Sequence, residues 1–363
     1  MCARRNNSNK RRLKPNTKLK QARNEQSSSQ SHEESVAVIG AGSWGTALAI
    51  LLAGNGHSTR LWGRNSTRIS EMSASRCNKL YLPDTEFPPT LQPHAKLKQA
   101  LTDANTILLA VPSKGFRESV EQIKPLFAPN TGIAIATKGL EPDSLKLLHQ
   151  VVHEVLGDDI KLCIISGPTF AKEVAATLPT AVTVASEDEG FALKIARLLS
   201  NDHFRAYTSS DVIGVEVGGA VKNVIAIAAG IADGLGFGAN TRTAVITRGL
   251  AEISRLGVAL GGQQETFMGL AGLGDLVLTC TDDQSRNRRV GLGLAGGKSL
   301  EQILAELGQV AEGVETAEKV YHLSQQMQIQ MPIVEQVYKV IYEHKATKQA
   351  VYDLLHREIR AEN

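Results

Sequence analysis

The stretch VAVIGAGSWGTALAILLA, residues 36–53, decides the fold of the first half of this chain. It begins as a short apolar run typical of a buried strand and continues as a helical pattern. Gly40, Gly42 and Gly45 stand at the junction with the spacing G-x-G-x-x-G, which is the context that the dinucleotide-binding fingerprint requires. There the first glycine permits a tight turn, the second lets the backbone approach a pyrophosphate, and the third allows close helix–strand packing. We expect these glycines to bind a dinucleotide, the alternative being a purely structural turn.

The end of the second predicted strand indicates which nicotinamide cofactor binds. NAD-selective sites carry Asp or Glu there, about 20 residues after the glycines, to hold the ribose 2′-hydroxyl. This chain reads LWGRN at residues 61–65, with Arg64 where the acid would stand. A guanidinium suits a 2′-phosphate through its charge and its forked hydrogen bonds. The sequence predicts that NADP or NAD is accepted and that NADP is preferred, unless Arg64 only stacks on the adenine.

Short apolar runs and helical patterns alternate along the first half of the chain. The strand-like runs lie at residues 36–40, 59–63, 106–111, 132–137, 161–166, 181–186 and 204–208. Helical patterns lie at residues 43–54, 115–126, 143–156 and 188–200. Apolar strands separated by helices predict a parallel sheet covered on both faces. After residue 210 amphipathic helical patterns replace the strands. The predicted fold class is therefore α/β, with an N-terminal Rossmann-like doubly wound sheet (residues 35–210) and a mostly α-helical C-terminal domain (residues 211–363).

The net charge of +3 is concentrated at the beginning of the chain. Residues 1–34 carry nine Lys and Arg against three Glu, net +6, which leaves the rest at −3. The segment is rich in Ser, Asn, Gln and Lys, a composition typical of disorder. It has no apolar core of a secretory signal. We interpret residues 1–34 as a disordered basic tail without a function of its own, the alternatives being a nucleic-acid-binding arm or a transit peptide.

Composition excludes several classes of protein. With 42% hydrophobic and 21% charged residues, the chain resembles an ordinary globular protein. No apolar run reaches the roughly 18 residues of a membrane span. The four cysteines have no paired spacing, which argues against a disulfide framework and against a zinc site. We therefore expect a cytoplasmic protein that binds no metal, and the mildly acidic body gives no indication of nucleic-acid binding.

A lone lysine in an apolar helix is the first candidate for chemistry. The stretch GGAVKNVIAIAAGIAD, residues 218–233, contains Lys222 among small and apolar residues. A buried ammonium is costly, and desolvation lowers the pKa of a lysine. A lysine tuned in this way can exchange a proton with a substrate hydroxyl near neutral pH. The alternative is a structural lysine whose stem packs along the helix while its head reaches solvent.

Other polar groups are expected near Lys222. Lys138 follows a predicted strand in ATKGLEP, at the end where open α/β sheets bind ligands. Asp275 stands between GLG and LVL, where a carboxylate needs a cation, and Lys222 is a candidate. The run SRNRR, residues 285–289, suits a phosphate clamp as well as a solvated charged face, and the sequence leaves both open.

With these residues in place, the chain resembles the bacterial-type glycerol-3-phosphate dehydrogenases. The resemblance extends over residues 36–355, everything except the basic tail. Its motifs are GAGSWGTALA, ATKGLE, SGPTFAKE, GGAVKNVIAIAAGIADGLGFGANTRTA, GLAGLGDLVLTC, QSRNRR and VAEGVETA. It implies an NAD(P)-dependent oxidoreductase that interconverts sn-glycerol 3-phosphate and dihydroxyacetone phosphate and so supplies glycerol phosphate for phospholipid synthesis.

The resemblance also implies the roles of individual residues. Lys222 would be the catalytic acid/base. The substrate would be surrounded by Lys138, Gly167, Thr169, Lys222, Asn223, Asp275, Thr279, Ser285, Arg286 and Asn287. The cofactor would be lined by Gly40, Gly42, Ser43, Trp44, Gly45, Arg64, Lys138, Ala171, Arg286, Val310 and Glu312. Small-residue helices in the second domain favour a homodimer.

Two other functions compete with this interpretation. The β-hydroxyacid dehydrogenases share the two-domain layout and a catalytic lysine, but they usually place an asparagine four residues after it. Here that position is Ala226, and Asn223 directly follows the lysine. A non-catalytic NADP(H)-binding regulator would need neither an acid/base lysine nor a phosphate clamp. Turnover of dihydroxyacetone phosphate would eliminate the regulator.

Overall fold

The computed structural model describes residues 34–358. The predicted basic tail lies outside the described residues, apart from Glu34. The strands are β1 Ser35–Ile39, β2 Ser58–Trp62, β3 Cys77–Asn78, β4 Leu82–Glu86, β5 Leu91–His94, β6 Thr106–Leu109, β7 Gly132–Ile135, β8 Leu162–Ser166, β9 Thr180–Ala185 and β10 Phe204–Ser209. The seven predicted strands are all present, and β3, β4 and β5 are additional.

Eight strands form one sheet in the order β10-β9-β8-β7-β6-β1-β2-β5. All neighbouring pairs are parallel except β8 and β9. This reversal differs from the expected parallel sheet. Its physical reason is the connection between the two strands, whose helix Ala171–Ala175 has only five residues, whereas a parallel crossover usually needs a full helix across the sheet face. Strands β3 and β4 form a separate antiparallel hairpin.

Both faces of the sheet are covered, as the doubly wound prediction requires. Along β1, Val36 and Val38 belong to the hydrophobic core on one face, and Ala37 and Ile39 belong to the core on the other. This period of two is the geometry of a strand buried on both sides. The chain order reverses between β1 and β6, and such a switch point is where open α/β sheets bind their ligands.

The helices connect these strands and then build the second half. They are α1 Ser43–Gly54, α2 Ser66–Ser75, α3 Leu97–Leu101, α4 Phe116–Ile123, α5 Leu148–Leu156, α6 Ala171–Ala175, α7 Glu189–Leu199, α8 Val212–Gly234, α9 Ala239–Ala259, α10 Asp275–Thr281, α11 Arg286–Ala295, α12 Leu300–Leu307, α13 Glu312–Gln326, α14 Pro332–Tyr342 and α15 Thr347–Leu355. After β10 the described chain contains no further strand. The change of architecture falls between Ser209 and Val212, and the division into two domains remains a prediction.

Helix α8 is the centre of the helical half. Its 23 residues are buried along almost their whole length, because α9, α10, α11 and α13 pack around it. Among the described residues it alone is long and apolar enough, by mean hydropathy, to pass for a membrane span, yet 89% of its most apolar window is buried in the protein. A helix that is apolar all round and enclosed in this way is a core helix.

A buried carboxylate ties α8 to the sheet half. Glu216 accepts hydrogen bonds from the backbone N–H of Leu148, at the start of α5, and from Nδ1 of His149 at 2.6 Å. The carboxylate suits the positive end of the α5 dipole. Burial lowers the pKa of His149, but the Glu216 carboxylate outweighs this and raises it overall. This contact helps to fix the helix that carries Lys222 against the sheet.

Candidate active site

The glycine-rich turn between β1 and α1 has the shape of a phosphate cradle. Gly40 has a φ of +120°, and a Cβ on it would lie 2.5 Å from the Ala110 carbonyl oxygen. A Cβ on Gly45 would lie 1.9 Å from the Gly40 oxygen, whereas a Cβ on Gly42 would meet nothing within 4 Å. The outer glycines therefore permit the tight turn and the close packing, and Gly42 leaves open space in front of the first N–H groups of α1. Those groups suit an anion, so the turn fits a dinucleotide diphosphate.

The other predicted cofactor residues surround this turn. Trp44 and Ser43 are half-buried in the first turn of α1, and Trp44 Nε1 donates to the Ala136 carbonyl oxygen at the end of β7 (3.2 Å). Arg64 is exposed just beyond the end of β2. The next residue, Asn65, caps α2 by accepting from the Arg68 N–H at 3.0 Å. A guanidinium beside a helix N-terminus at this edge fits a 2′-phosphate.

Three side chains meet where the helical half faces the sheet. Lys222 is 6% exposed and Asp275 is 1% exposed. Lys222 Nζ donates to Asp275 Oδ1 and, at 2.8 Å, to Thr279 Oγ1. Lys138 Nζ donates to the other oxygen, Asp275 Oδ2, at 2.6 Å and to the Gly167 carbonyl oxygen at 3.1 Å. The structure thus brings together Lys138, Lys222 and Asp275, which lie far apart in the sequence.

The environment tunes Lys222 toward proton exchange. Burial lowers its pKa most, and the nearby Lys138 ammonium lowers it further; the Asp275 carboxylate opposes both. The result is a pKa of about 8, well below the ordinary value of a lysine. An amine with this pKa is present in both protonation states near neutral pH, which is what a general acid/base needs.

Close backbone approach makes this arrangement possible. A Cβ on Gly218 would lie 2.7 Å from the Ala271 carbonyl oxygen, in the π-helical turn Leu270–Gly274 that precedes Asp275. A Cβ on Gly219 would lie 2.5 Å from Ser166 Oγ at the end of β8. The two glycines, one helical turn before Lys222, therefore let α8 contact the sheet on one side and the Asp275 segment on the other.

The side chains of the run SRNRR differ in whether they are bonded within the protein. Ser285 caps α11 by accepting from the Arg288 N–H at 3.2 Å. Arg288 is buried and pairs with Asp233 and Asp283, so it stabilises the helical half. The Arg286 guanidinium makes no hydrogen bond within residues 34–358, and burial lowers its pKa. A partly buried arginine without such a partner, at the N-terminus of a helix, suits an anion.

Two asparagines fix the position of this helix end. Asn287 Nδ2 donates to Asn223 Oδ1 at 2.9 Å, and Asn287 Oδ1 accepts from the Gly313 N–H at 2.9 Å. Asn223 directly follows Lys222 on α8. The bonds therefore join the helix that carries Lys222, the helix that carries Arg286 and the start of α13.

The remaining predicted residues either follow β8 or stand at the start of α13. Gly167 has a φ of +154°, and its carbonyl oxygen also accepts from Thr169 Oγ1 at 3.2 Å. Ala171 begins α6 and is half-buried, and Val310 is 47% exposed. Glu312 accepts from Ser113 Oγ at 2.7 Å, and burial raises its pKa. No cluster of His, Cys, Asp and Glu among the described residues could hold a metal.

Sequence reasoning missed three residues at this site. Ser113 anchors Glu312, Tyr81 lies in the electrostatic environment of Arg286, and Asn78 is hydrogen-bonded to the glycine-rich turn. None of them is charged at neutral pH or stands in an apolar run, so no local anomaly marks them. The one available signal was the position of Ser113, directly beyond the apolar run 106–111 at the ligand-binding end of the sheet.

A glycine-rich turn at a switch point, a buried lysine with a lowered pKa and a partly buried arginine are together typical of a nicotinamide-dependent oxidoreductase acting on an anionic substrate. Comparison with known proteins then specifies the family. Residues 35–192 match the model of the NAD-dependent glycerol-3-phosphate dehydrogenase N-terminus, and residues 211–352 match that of the C-terminus. The chain belongs to the NAD-dependent glycerol-3-phosphate dehydrogenase family.

Individual relatives agree with this assignment. Glycerol-3-phosphate dehydrogenase (NAD(P)+) of Aeromonas hydrophila is 56% identical over 328 residues, 90% of this chain and 98% of the relative. A crystal structure of glycerol-3-phosphate dehydrogenase from Coxiella burnetii shares 47% identity with a TM-score of 0.87, over 90% of this chain and 99% of that chain. The D-mandelate dehydrogenase structure, 13% identical with a TM-score of 0.57 over 87% of this chain and 98% of that chain, shares the fold alone.

Proposed function

We propose that Lys222 is the general acid/base with which this NAD(P)-dependent enzyme interconverts sn-glycerol 3-phosphate and dihydroxyacetone phosphate. The observation that carries the proposal is the buried Lys222–Asp275–Lys138 arrangement, with its pKa of about 8 at Lys222. When bound, the nicotinamide cofactor supplies or accepts the hydride at C2 of the substrate.

Each residue of the arrangement has a distinct part in the proposed mechanism. In the direction of reduction, the Lys222 ammonium donates its proton to the carbonyl oxygen of the substrate; in oxidation, the neutral amine takes the hydroxyl proton. Asp275 holds Lys222 and Lys138 with one oxygen each, which keeps both amines oriented. Positive charge from the two lysines stabilises the oxyanion that develops on the substrate oxygen.

The direct test is a spectrophotometric assay of the purified full chain. Oxidation of NADPH should depend on dihydroxyacetone phosphate and be far slower with unphosphorylated dihydroxyacetone, because the phosphate is needed to hold the substrate at Arg286. Absence of turnover by folded protein that binds NADPH would overturn the proposal in favour of a regulatory role. Turnover of a β-hydroxyacid at a comparable rate would favour the hydroxyacid dehydrogenases.

Arg286→Ala should raise the KM for dihydroxyacetone phosphate by roughly 10- to 100-fold, which corresponds to losing a charged hydrogen-bonding group worth about 1.5–3 kcal/mol. The measurement is steady-state kinetics at saturating NADPH. Arg289→Ala is the matched control, because Arg289 lies on the same helix but is exposed, and its KM should stay within about twofold. An unchanged KM in Arg286→Ala would place the phosphate elsewhere.

Arg64→Ala should weaken NADPH by about tenfold or more while leaving NADH within about twofold, because only NADPH carries the 2′-phosphate that a guanidinium can bind. Fluorescence titration of each cofactor measures the two dissociation constants. NADH is the internal control. Equal weakening of both cofactors would show that Arg64 stacks on the adenine, which NADPH and NADH share.

The cellular setting is part of the same proposal. Interconversion of these two metabolites in the cytoplasm would supply glycerol phosphate for phospholipid synthesis, and family membership supports this role. The small-residue helices of the second half support a homodimer. Sedimentation of the purified chain tests the homodimer directly, since a monomer at micromolar concentration would contradict it.

A further inference from the structure

A buried asparagine outside the predicted site holds the glycine-rich turn. Asn78 lies in the β3–β4 hairpin and is 1% exposed. Its Nδ2 donates to the Ala41 carbonyl oxygen at 3.3 Å and to Thr46 Oγ1 at 2.9 Å. Ala41 stands between the first two glycines of the turn, and Thr46 lies in the first turn of α1. One amide therefore ties the turn to the helix that follows it.

This contact fixes the direction of a backbone donor. The peptide unit between Ala41 and Gly42 is planar and trans, so its C=O and its N–H point in opposite directions. Because Asn78 draws the Ala41 oxygen into the interior, the Gly42 N–H is directed away from Asn78. That N–H has no hydrogen-bond partner within residues 34–358, and the space at Gly42 is open.

The amide at residue 78 is costly for the fold. Its oxygen, Oδ1, is buried and has no hydrogen-bond partner among the described residues. An unsatisfied buried acceptor destabilises a protein, and such groups in native structures call for an explanation. A donor to the glycine-rich turn is such an explanation, since an apolar side chain would fill the same space but could not hold the Ala41 oxygen.

We propose that Asn78 is a positioning residue that orients the Gly42 N–H toward the diphosphate of the dinucleotide. The inference rests on the proposed placement of the cofactor at this turn. Asn78 itself is too deeply buried to contact the cofactor, so its effect passes through the Ala41–Gly42 peptide. A positioning role predicts a change in cofactor affinity, without a change in affinity for the substrate.

The test compares Asn78→Ala with a matched variant at the other end of the same helix. Asn55 follows α1, and its Nδ2 donates to the Leu198 carbonyl oxygen at 2.8 Å, so Asn55→Ala also removes a partly buried hydrogen bond from an asparagine amide to a backbone oxygen. Asn78→Ala should raise the dissociation constant of NADPH, measured by fluorescence titration, by about five- to tenfold. Asn55→Ala should change it by less than about twofold. In Asn78→Ala, kcat at saturating NADPH and the KM for dihydroxyacetone phosphate should stay near wild type.

The possible results distinguish a positioning role of Asn78 from a purely structural role and from a wrong placement of the cofactor. A lower melting temperature with unchanged NADPH affinity in Asn78→Ala would overturn the inference. If that variant does not fold, Asn78→Leu decides, because it fills the same space but has no amide to donate to the Ala41 oxygen; unchanged affinity there also overturns the inference. Gly42→Val fills the open space at the turn. If NADPH binds to Gly42→Val as tightly as to the wild type, the proposed placement of the diphosphate is wrong. If Gly42→Val loses NADPH but Asn78→Ala binds it normally, the placement stands and only the role of Asn78 is wrong.

Discussion

Lys222→Met is expected to lower kcat for dihydroxyacetone phosphate reduction by about 10²- to 10⁴-fold, the usual contribution of a general acid/base. The methionine keeps most of the volume of the buried side chain, and Asp275 keeps Lys138 as a partner, so the protein should fold and bind NADPH. Stopped-flow or steady-state kinetics at saturating substrates measures the loss. Near-normal turnover would exclude Lys222 as the proton donor.

The control for Lys222→Met removes a lysine of similar bonding elsewhere. Lys345 pairs with Asp353 and donates to Gln336 Oε1 at 2.6 Å, far along the chain from the residues of the site. Lys345→Met should keep kcat within about twofold, because Lys345 bonds to none of the residues proposed to hold the substrate or the cofactor. A large loss in both variants would point to general damage rather than to chemistry at Lys222.

The pH dependence of the wild-type enzyme gives a second measurement of the same role. Reduction needs the ammonium, so its rate should fall as pH rises through the Lys222 pKa of about 8. Oxidation needs the neutral amine, so its rate should rise through the same pH. The opposite slopes should both disappear in Lys222→Met. Parallel slopes in the two directions would assign the titration to another group.

Asp275→Ala is expected to lower the free energy of unfolding by about 3–5 kcal/mol, the cost of leaving a buried charge without its partner. Here one carboxylate serves two amines, because Lys222 and Lys138 each bind one of its oxygens. Urea denaturation measures the change. The variant should also lose most of its activity, since neither lysine would keep its orientation.

A control and a double-mutant cycle make this expectation specific. Asp283 also pairs with a buried cation, Arg288, but its side chain is 78% exposed and Arg288 keeps Asp233. Asp283→Ala should therefore cost less than about 1 kcal/mol. Asp275→Ala should lower the free energy of unfolding by about 1–3 kcal/mol less in a Lys138→Met background than in the wild type, because the effects of substitutions within one network are not additive. Additive effects would show that the lysine–carboxylate contact contributes little to stability.

Local anomalies in the sequence were enough to predict that Lys222 and Asp275 meet. Lys222 and Asp275 are charges in apolar surroundings, and the cost of burying them separately predicts that they pair. Their contact in the structure agrees with that expectation. The glycine spacing likewise predicted the turn, because a side chain at Gly40 or at Gly45 would clash with the neighbouring backbone.

Features that depend on distant partners were not predictable in this way. The connection between β8 and β9 is too short to cross the sheet, so β9 runs antiparallel to β8. A pattern of apolar runs does not indicate the direction in which a strand runs. Asn78 and Ser113 are ordinary polar residues whose roles arise only when the β3–β4 hairpin meets α1, or when α13 meets the end of β6. The SRNRR run shows the same limit. Arg286 and Arg288 stand on either side of Asn287, yet Arg288 is paired with Asp233 and Asp283, whereas Arg286 makes no hydrogen bond within residues 34–358.

The near-complete burial of α8 has a consequence for the newly made chain. The helices that cover it extend to Gln326, so at 5–20 residues per second α8 waits about 5–20 seconds on the ribosome for its packing partners. During that time its length and hydropathy would suit the membrane-insertion machinery. An ammonium at a helix midpoint opposes insertion by about 3 kcal/mol, and Lys222 stands at that midpoint. The cost of placing an ammonium in lipid thus disfavours membrane insertion of the same helix that carries the proposed acid/base.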